Sequence, residues 1–97
     1  MNVNKRTNHI LRKKEIRGLY GLSITTINNR IKEGLLPPPV NLGGRAVGFI
    51  SKEVQVVISA MALELPKDKI LELVVQIIEN RKKVFRDFTE SLGDLNE

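Results

Sequence analysis

The chain has neither cysteine nor tryptophan among its 97 residues, and only one histidine, one tyrosine and three phenylalanines. Without cysteine there can be no disulfide, no thiolate zinc site and no Cys nucleophile, and a reducing cytosol suits such a composition. With so few aromatics the core must be built from Ile, Leu and Val. The same scarcity argues against RNA as ligand, because single-stranded recognition leans on base stacking. No apolar run approaches the ~18 residues of a membrane span, and Met1–Arg6 has no apolar stretch of the kind a secretory signal needs. Catalytic groupings are missing too. His9 stands alone beside a basic segment, no His and carboxylate set has metal-ligand spacing, and Glu15 and Glu33 are far apart. Gly43-Gly44 is not followed by the Gly-Lys-Ser/Thr of a phosphate loop. The expectation is a non-enzymatic chain with no metal and no cofactor.

Acid is scarce in one half only. Residues 1–52 hold ten Lys/Arg against two acids, a net of +8, whereas residues 53–97 hold six against nine, a net of −3. A positive half of this kind suits a polyanion, since neutralising phosphates releases counterions. The bland alternative is a solvated basic surface. A membrane surface fits less well, because the basic half has no broad apolar face to insert.

What remains is organised by glycine and proline. Residues 1–9 read as a flexible basic arm. A first helix is predicted from about Arg12 to Tyr20, closed by Gly21. Ser23 is a good cap for a second helix, Ile24–Glu33, which Gly34 ends. Two short helices joined through a glycine match the helix-turn-helix pattern, with an ordinary αα-hairpin as the alternative. Pro37-Pro38-Pro39 forces an extended connector. Val40–Leu42 and Ala46–Ile50 then read as two strands around a Gly43-Gly44 turn. Ser51 is expected to cap a third helix over roughly Lys52–Ala62, with Val54, Val57, Ile58 and Met61 on its apolar face. A last helix starts near Pro66 and runs to about Phe88, its stripe interrupted by Arg81, and residues 89–97 read as a fraying acidic tail.

The second helix sorts its side chains by face. At 100° per residue, Ile27 and Ile31 share one side with Ile24 nearby, while Thr25, Asn29 and Lys32 lie opposite and Thr26, Asn28 and Glu33 flank. Asn can pair two atoms of an adenine edge, and Thr can touch a thymine methyl or a phosphate, so the polar side suits a major groove. A merely solvated face is the alternative. The candidate recognition-helix contacts are therefore Ser23, Thr25, Thr26, Asn28, Asn29, Arg30 and Lys32. The hairpin tip, Gly44 and Arg45, offers a guanidinium to phosphate or the minor groove. Arg12, Lys13, Lys14 and Arg17, with Lys5 and Arg6 in the arm, can track the DNA backbone.

From Ile10 to about Met61 the chain resembles the AlpA-like prophage regulators, of the excisionase and MerR-like winged-helix superfamily. The residues that carry the resemblance are Gly21-Leu22-Ser23, Thr26-Ile27, Ile31-Lys32-Glu33-Gly34, Pro37, Pro39, Leu42 through Phe49, and Glu53-Val54. It implies a mainly α fold with a small β-hairpin, a MerR-like winged helix-turn-helix in residues 10–63, and here a long C-terminal helix over 66–89. It also implies a cytoplasmic, nucleoid-associated protein that binds double-stranded DNA. Such a protein regulates transcription or acts as an excisionase-type directionality factor, and meets RNA polymerase or an integrase. Three positions depart from the family's usual pattern: Ile24, where a polar or basic residue is common; Asn28, where an aromatic is common; and Arg30, where an apolar residue often sits.

In MerR-like proteins a helix after the winged domain often pairs with its copy. Ile70, Val74, Ile77, Ile78, Phe85 and Phe88 are the candidate dimer seam, with packing against the chain's own domain as the alternative. A homodimer would favour a palindromic site, and a head-to-tail array direct repeats. The competing function is a protein-interaction adaptor or anti-repressor that works through the C-terminal helix.

Overall fold

The computed structural model describes residues 10–95. The predicted arm, residues 1–9, and the last two residues of the predicted tail lie outside them. The elements are β1 (Ile10–Leu11), α1 (Lys13–Tyr20), α2 (Ile24–Lys32), β2 (Val40–Gly43), β3 (Ala46–Ile50), α3 (Ser51–Ala62) and α4 (Lys67–Leu95). Mainly helical, with a small antiparallel sheet and a long last helix, this is the expected winged helix-turn-helix arrangement.

Each short helix has a chemical start and stop. Arg12, in extended backbone, precedes α1, and its N–H donates to the Glu15 carboxylate at 2.9 Å. That contact satisfies one donor outside the helical ladder and sets a negative charge at the positive end of the helix. Gly21, at φ +66°, closes α1, its N–H donating to the Arg17 carbonyl at 3.0 Å. Ser23 caps α2, its Oγ accepting from the Thr26 N–H at 3.1 Å. The other end of α2 is a Schellman motif: the Gly34 N–H reaches the Ile31 carbonyl at 3.1 Å and the Leu35 N–H the Arg30 carbonyl at 2.8 Å. α3 closes through the same pair of bonds, Glu64 to Met61 and Leu65 to Ala60, but here Glu64 holds the left-handed position, at φ +58°.

The sheet has the order β1-β3-β2. β3 pairs with β2 through Val40↔Gly48, Asn41↔Val47 and Gly43↔Ala46, with an irregularity between Asn41 and Gly43 where the Asn41 Oδ1 accepts from the Gly43 N–H at 2.8 Å. Gly43 thus belongs to the strand, and the loop is Gly44-Arg45. On its other side β3 pairs with β1, Ile10↔Ile50 and Leu11↔Phe49, a strand that no local pattern announces. The middle of this sheet is tight. A Cβ on Gly48 would run into Cγ2 of Ile10 and come within 3.1 Å of Cδ1 of Leu42, so side chains from both neighbouring strands close over that glycine.

Every element except β2 contributes to one aliphatic core. Leu11, Ile16, Ile27, Phe49, Val54, Val57, Ala60, Ile70 and Val74 are buried in it, together with Leu36 of the connector. Three expectations need correction. Ser51 does not cap α3; it is the buried first residue of the helix, Ile50 precedes it in extended backbone, and no side-chain cap bond is made. α4 does not fray at Thr89 but continues to Leu95. The predicted dimer seam is split, because Ile70 and Val74 are each only 3% exposed and packed inside their own chain, and Ile77 and Ile78 lean on that core. Phe85 and Phe88 are exposed. Among the described residues no helix is long and apolar enough to cross a membrane, and no three His, Cys, Asp or Glu side chains gather as metal ligands would.

Candidate nucleic-acid interface

α2 is anchored from below and open above. Ile27 is fully buried, and Ile24 and Ile31 pack beside it against the core. Rotation along the helix then leaves Thr25, Asn29 and Lys32 exposed and Thr26 and Asn28 half-buried on the flanks. α1 packs across α2. Its Ile16 enters the core, while Arg12, Lys14 and Arg17 stay exposed and Lys13 is half-buried. At the hairpin tip Gly44, at φ +56°, and Arg45 are both exposed.

Ser23 and Thr26 are brought together. Besides the cap bond, the Ser23 hydroxyl donates to the Thr26 Oγ1 at 2.9 Å. Both hydroxyls are thus engaged in holding the N-terminus of α2, and their part is to position the helix that carries Asn29.

Arg30 does not join the outward set. Its Nη1 donates to the Met61 Sδ at 2.9 Å, half-buried between α2 and α3. A long aliphatic stem can cover apolar surface while its charged head finds a soft acceptor, which explains a cation where an apolar residue would otherwise sit.

The sequence reading missed an ionic clamp. Arg81 donates from Nε to the Glu53 Oε2 at 2.9 Å and from Nη2 to the Glu53 Oε1 at 2.6 Å, and Nη2 also donates to the Pro38 carbonyl at 2.9 Å. The hydrogen bonds to Glu53 push the Arg81 pKa up, partial burial pulls it down, and the Glu53 charge raises it further. The two-toothed geometry ties α4 to the start of α3 and to the proline connector at once. A signal was present: a lone arginine on an otherwise apolar stripe must find a partner or leave the surface.

The charges of the two halves are treated differently. The ion pairs among the described residues are Lys69–Glu72, Arg81–Glu53 and Lys82–Glu79, and every base in them comes from α4. Lys13, Lys14 and Arg17 of α1, Lys32 of α2 and Arg45 of the wing make no side-chain hydrogen bond or ion pair among the described residues. A protein that only needed soluble surface would gain by mixing signs here; this one leaves a cationic field uncompensated.

Comparison with known proteins agrees with this architecture. Residues 9–60 match the family model described as the prophage CP4-57 regulatory protein AlpA. An uncharacterized protein, ORF88, of Enterobacteria phage P4 is 46% identical over 44 residues, which cover 45% of this chain and 50% of that protein. The match thus spans half the length of that relative. No solved structure matches significantly. With the family match covering more than half of the chain, from the residue before β1 to α3, the chain belongs to the AlpA family of prophage regulatory proteins.

Proposed function

We propose that the chain is a sequence-specific double-stranded DNA-binding regulator of a prophage or integrative element. In this reading α2 lies in the major groove, with Thr25, Asn29 and Lys32 toward the bases and Asn28 at the flank. Arg45 reaches phosphate or the minor groove from the wing, and Arg12, Lys13, Lys14 and Arg17 hold the backbone. Ser23 and Thr26 fix the helix end, and Arg30 serves the interior. The observation that carries the reading is the set of unpaired cations on α1, α2 and the wing around one capped helix with a polar outer face. Counterion release from such a set makes affinity fall steeply with salt.

The test is fluorescence anisotropy with duplexes from around the chain's own gene, at two salt concentrations. Binding that is salt-dependent and sequence-selective is the expected result; no binding at micromolar protein overturns the proposal. Asn29→Ala should relax base preference, at a cost of about 1–3 kcal/mol on the preferred site. Arg45→Ala should weaken binding to all sequences alike and reduce the salt slope by about 1. Such a protein works in the bacterial cytoplasm, on transcription, excision or both. A promoter reporter and an excision-junction assay read the two tasks separately, and with them the use of RNA polymerase or an integrase as partner.

The exposed Val84, Phe85, Phe88 and Leu92 of α4 favour a second reading, an adaptor or anti-repressor acting through that helix. Loss of regulation on truncation of α4, with DNA affinity intact, distinguishes it.

A further inference from the structure

The hairpin has two roots, and the domain holds them unequally. β3, the returning limb, is paired on both sides, buries Phe49 and runs straight into α3. β2, the entering limb, lies at the sheet edge and sends no residue into the core. It follows a connector whose prolines, residues 37–39, have no N–H to donate. Leu36 and Pro37 are buried. Past them, the one side-chain hydrogen bond to the connector among the described residues comes from Arg81 to the Pro38 carbonyl.

Arg81 takes hold of both roots with one planar group. Pro38 lies two residues before β2, and Glu53 lies three residues after β3. Nε and Nη2 grip the two carboxylate oxygens of Glu53, and Nη2 also donates to Pro38. A lysine ammonium has no fixed fork with which to span a carboxylate and a carbonyl together. The side chains of Arg81 and Glu53 are only 23% and 13% exposed, so the guanidinium is turned inward rather than toward a phosphate. Both acceptors lie within residues 9–60, which match the family model, whereas the donor lies beyond them on α4.

We infer that Arg81 is a positioning residue for DNA binding: it fixes the pitch of the wing against α2, and with it the place of Arg45, without touching DNA. The inference rests on the proposed DNA-binding reading. Leverage gives the clamp its effect. Arg45 stands three residues from Gly48, roughly 10 Å along an extended strand. A tilt of about 10° at the root would therefore move the tip by about 2 Å, several times the ~0.5 Å window of a hydrogen-bond distance.

The experiment is fluorescence anisotropy of the full chain on duplexes from around its own gene. Dichroism and urea unfolding establish that each variant is folded at the working temperature. Arg81→Lys keeps the charge and loses the fork. It should weaken binding roughly tenfold, the effect of losing one charged contact, and lower the salt slope by about 1. In an Arg45→Ala background the same substitution should change affinity by less than about twofold, because the contact it acts through is already gone. Glu53→Gln tests the sign. By charge alone, removing an acid should tighten binding to a polyanion; by loosening the wing it should weaken it. Unchanged affinity of folded Arg81→Lys, additivity with Arg45→Ala, or tighter binding by Glu53→Gln would each overturn the inference.

A second measurement needs no DNA. In the amide NMR spectrum of the free chain, Arg81→Lys should shift residues 40–50 of the wing and leave residues 13–32 of α1 and α2 in place. Shifts confined to the immediate neighbours of Arg81 and Glu53 would overturn the inference as well. Its failure and that of the proposed function are separable. A wild-type chain that binds no duplex fails the function; one that binds, and is indifferent to Arg81→Lys, fails only the inference.

Discussion

The two helices that matter most here, α2 and α4, are built on opposite plans. α2 has nine residues, a side-chain cap at one end, a Schellman turn at the other, and a buried isoleucine beneath. It is held everywhere except on the face it presents. α4 has 29 residues, and its C-terminal part shows the solvent every apolar side chain it owns from Val84 through Leu92. Its hold on the domain lies in Ile70, Val74 and the neighbours of that pair, and in the Arg81 clamp. Rigid presentation of a short polar face needs many anchors; projection of a long apolar one needs a few near its root.

Three sets of substitutions press on that contrast. The largest effect should come at the root of α4. Ile70→Ala should destabilise the chain by about 2–5 kcal/mol, the cost of a core cavity. Phe88→Ala should change stability by less than about 0.5 kcal/mol in urea unfolding at the lowest workable protein concentration, as an exposed site does. If Phe88→Ala cost as much as Ile70→Ala under those conditions, the distal part of α4 would be packed on its own domain after all. Next comes the clamp. Arg81→Ala leaves the Glu53 carboxylate and the Pro38 carbonyl without their donor and should cost about 2 kcal/mol, below the figure for a fully buried pair because solvent reaches both partners. The Glu53→Ala, Arg81→Ala double variant should cost less than the sum of the two single ones. Strict additivity in that cycle would mean that the pair does not hold the helix.

The smallest effects compare the caps. Ser23→Ala should cost about 1 kcal/mol by leaving the Thr26 N–H without its acceptor. Glu64→Gly should do the opposite and stabilise by about 1 kcal/mol, because a left-handed backbone strains any residue with a Cβ. The two Schellman turns differ in this one respect, glycine at position 34 and glutamate at 64, so the substitution gives the second the residue of the first. A destabilised Glu64→Gly variant would show that the glutamate is doing something else.

α2 and the wing were legible in the sequence because their boundaries are set by local chemistry. Ser23, Gly34 and the prolines act within a few residues of themselves, and Gly43-Gly44 announces a turn that falls one residue later, at Gly44-Arg45. The features that escaped are those decided at long range. β1 has two residues and pairs with a strand some forty positions away, so no periodicity could reveal it. Arg30 reads as an outward DNA contact and Arg81 only as an interruption of an apolar stripe, yet each turns to a partner about thirty residues distant, Met61 and Glu53. The end of α4 differs for another reason: polar and acidic residues read as a tail, but a helix already nucleated adds residues at little cost. The dimer seam was drawn from one stripe, and only burial could show that its first part was already taken.

The order of the sheet has a mechanical consequence for the wing. The hairpin is a cantilever. At its root β3 is gripped from both sides, by β1 at Phe49 and Ile50 and by β2 at Gly48, and from there to the tip only Val47, Ala46 and the two-residue loop extend. A beam this short, with Ile10 and Leu42 wedged over its root at Gly48, has little room to sweep. Arg45 therefore searches with its side chain rather than its backbone. The ordering it gives up on meeting a phosphate should be that of one set of rotamers, while the loop beneath it is already in place.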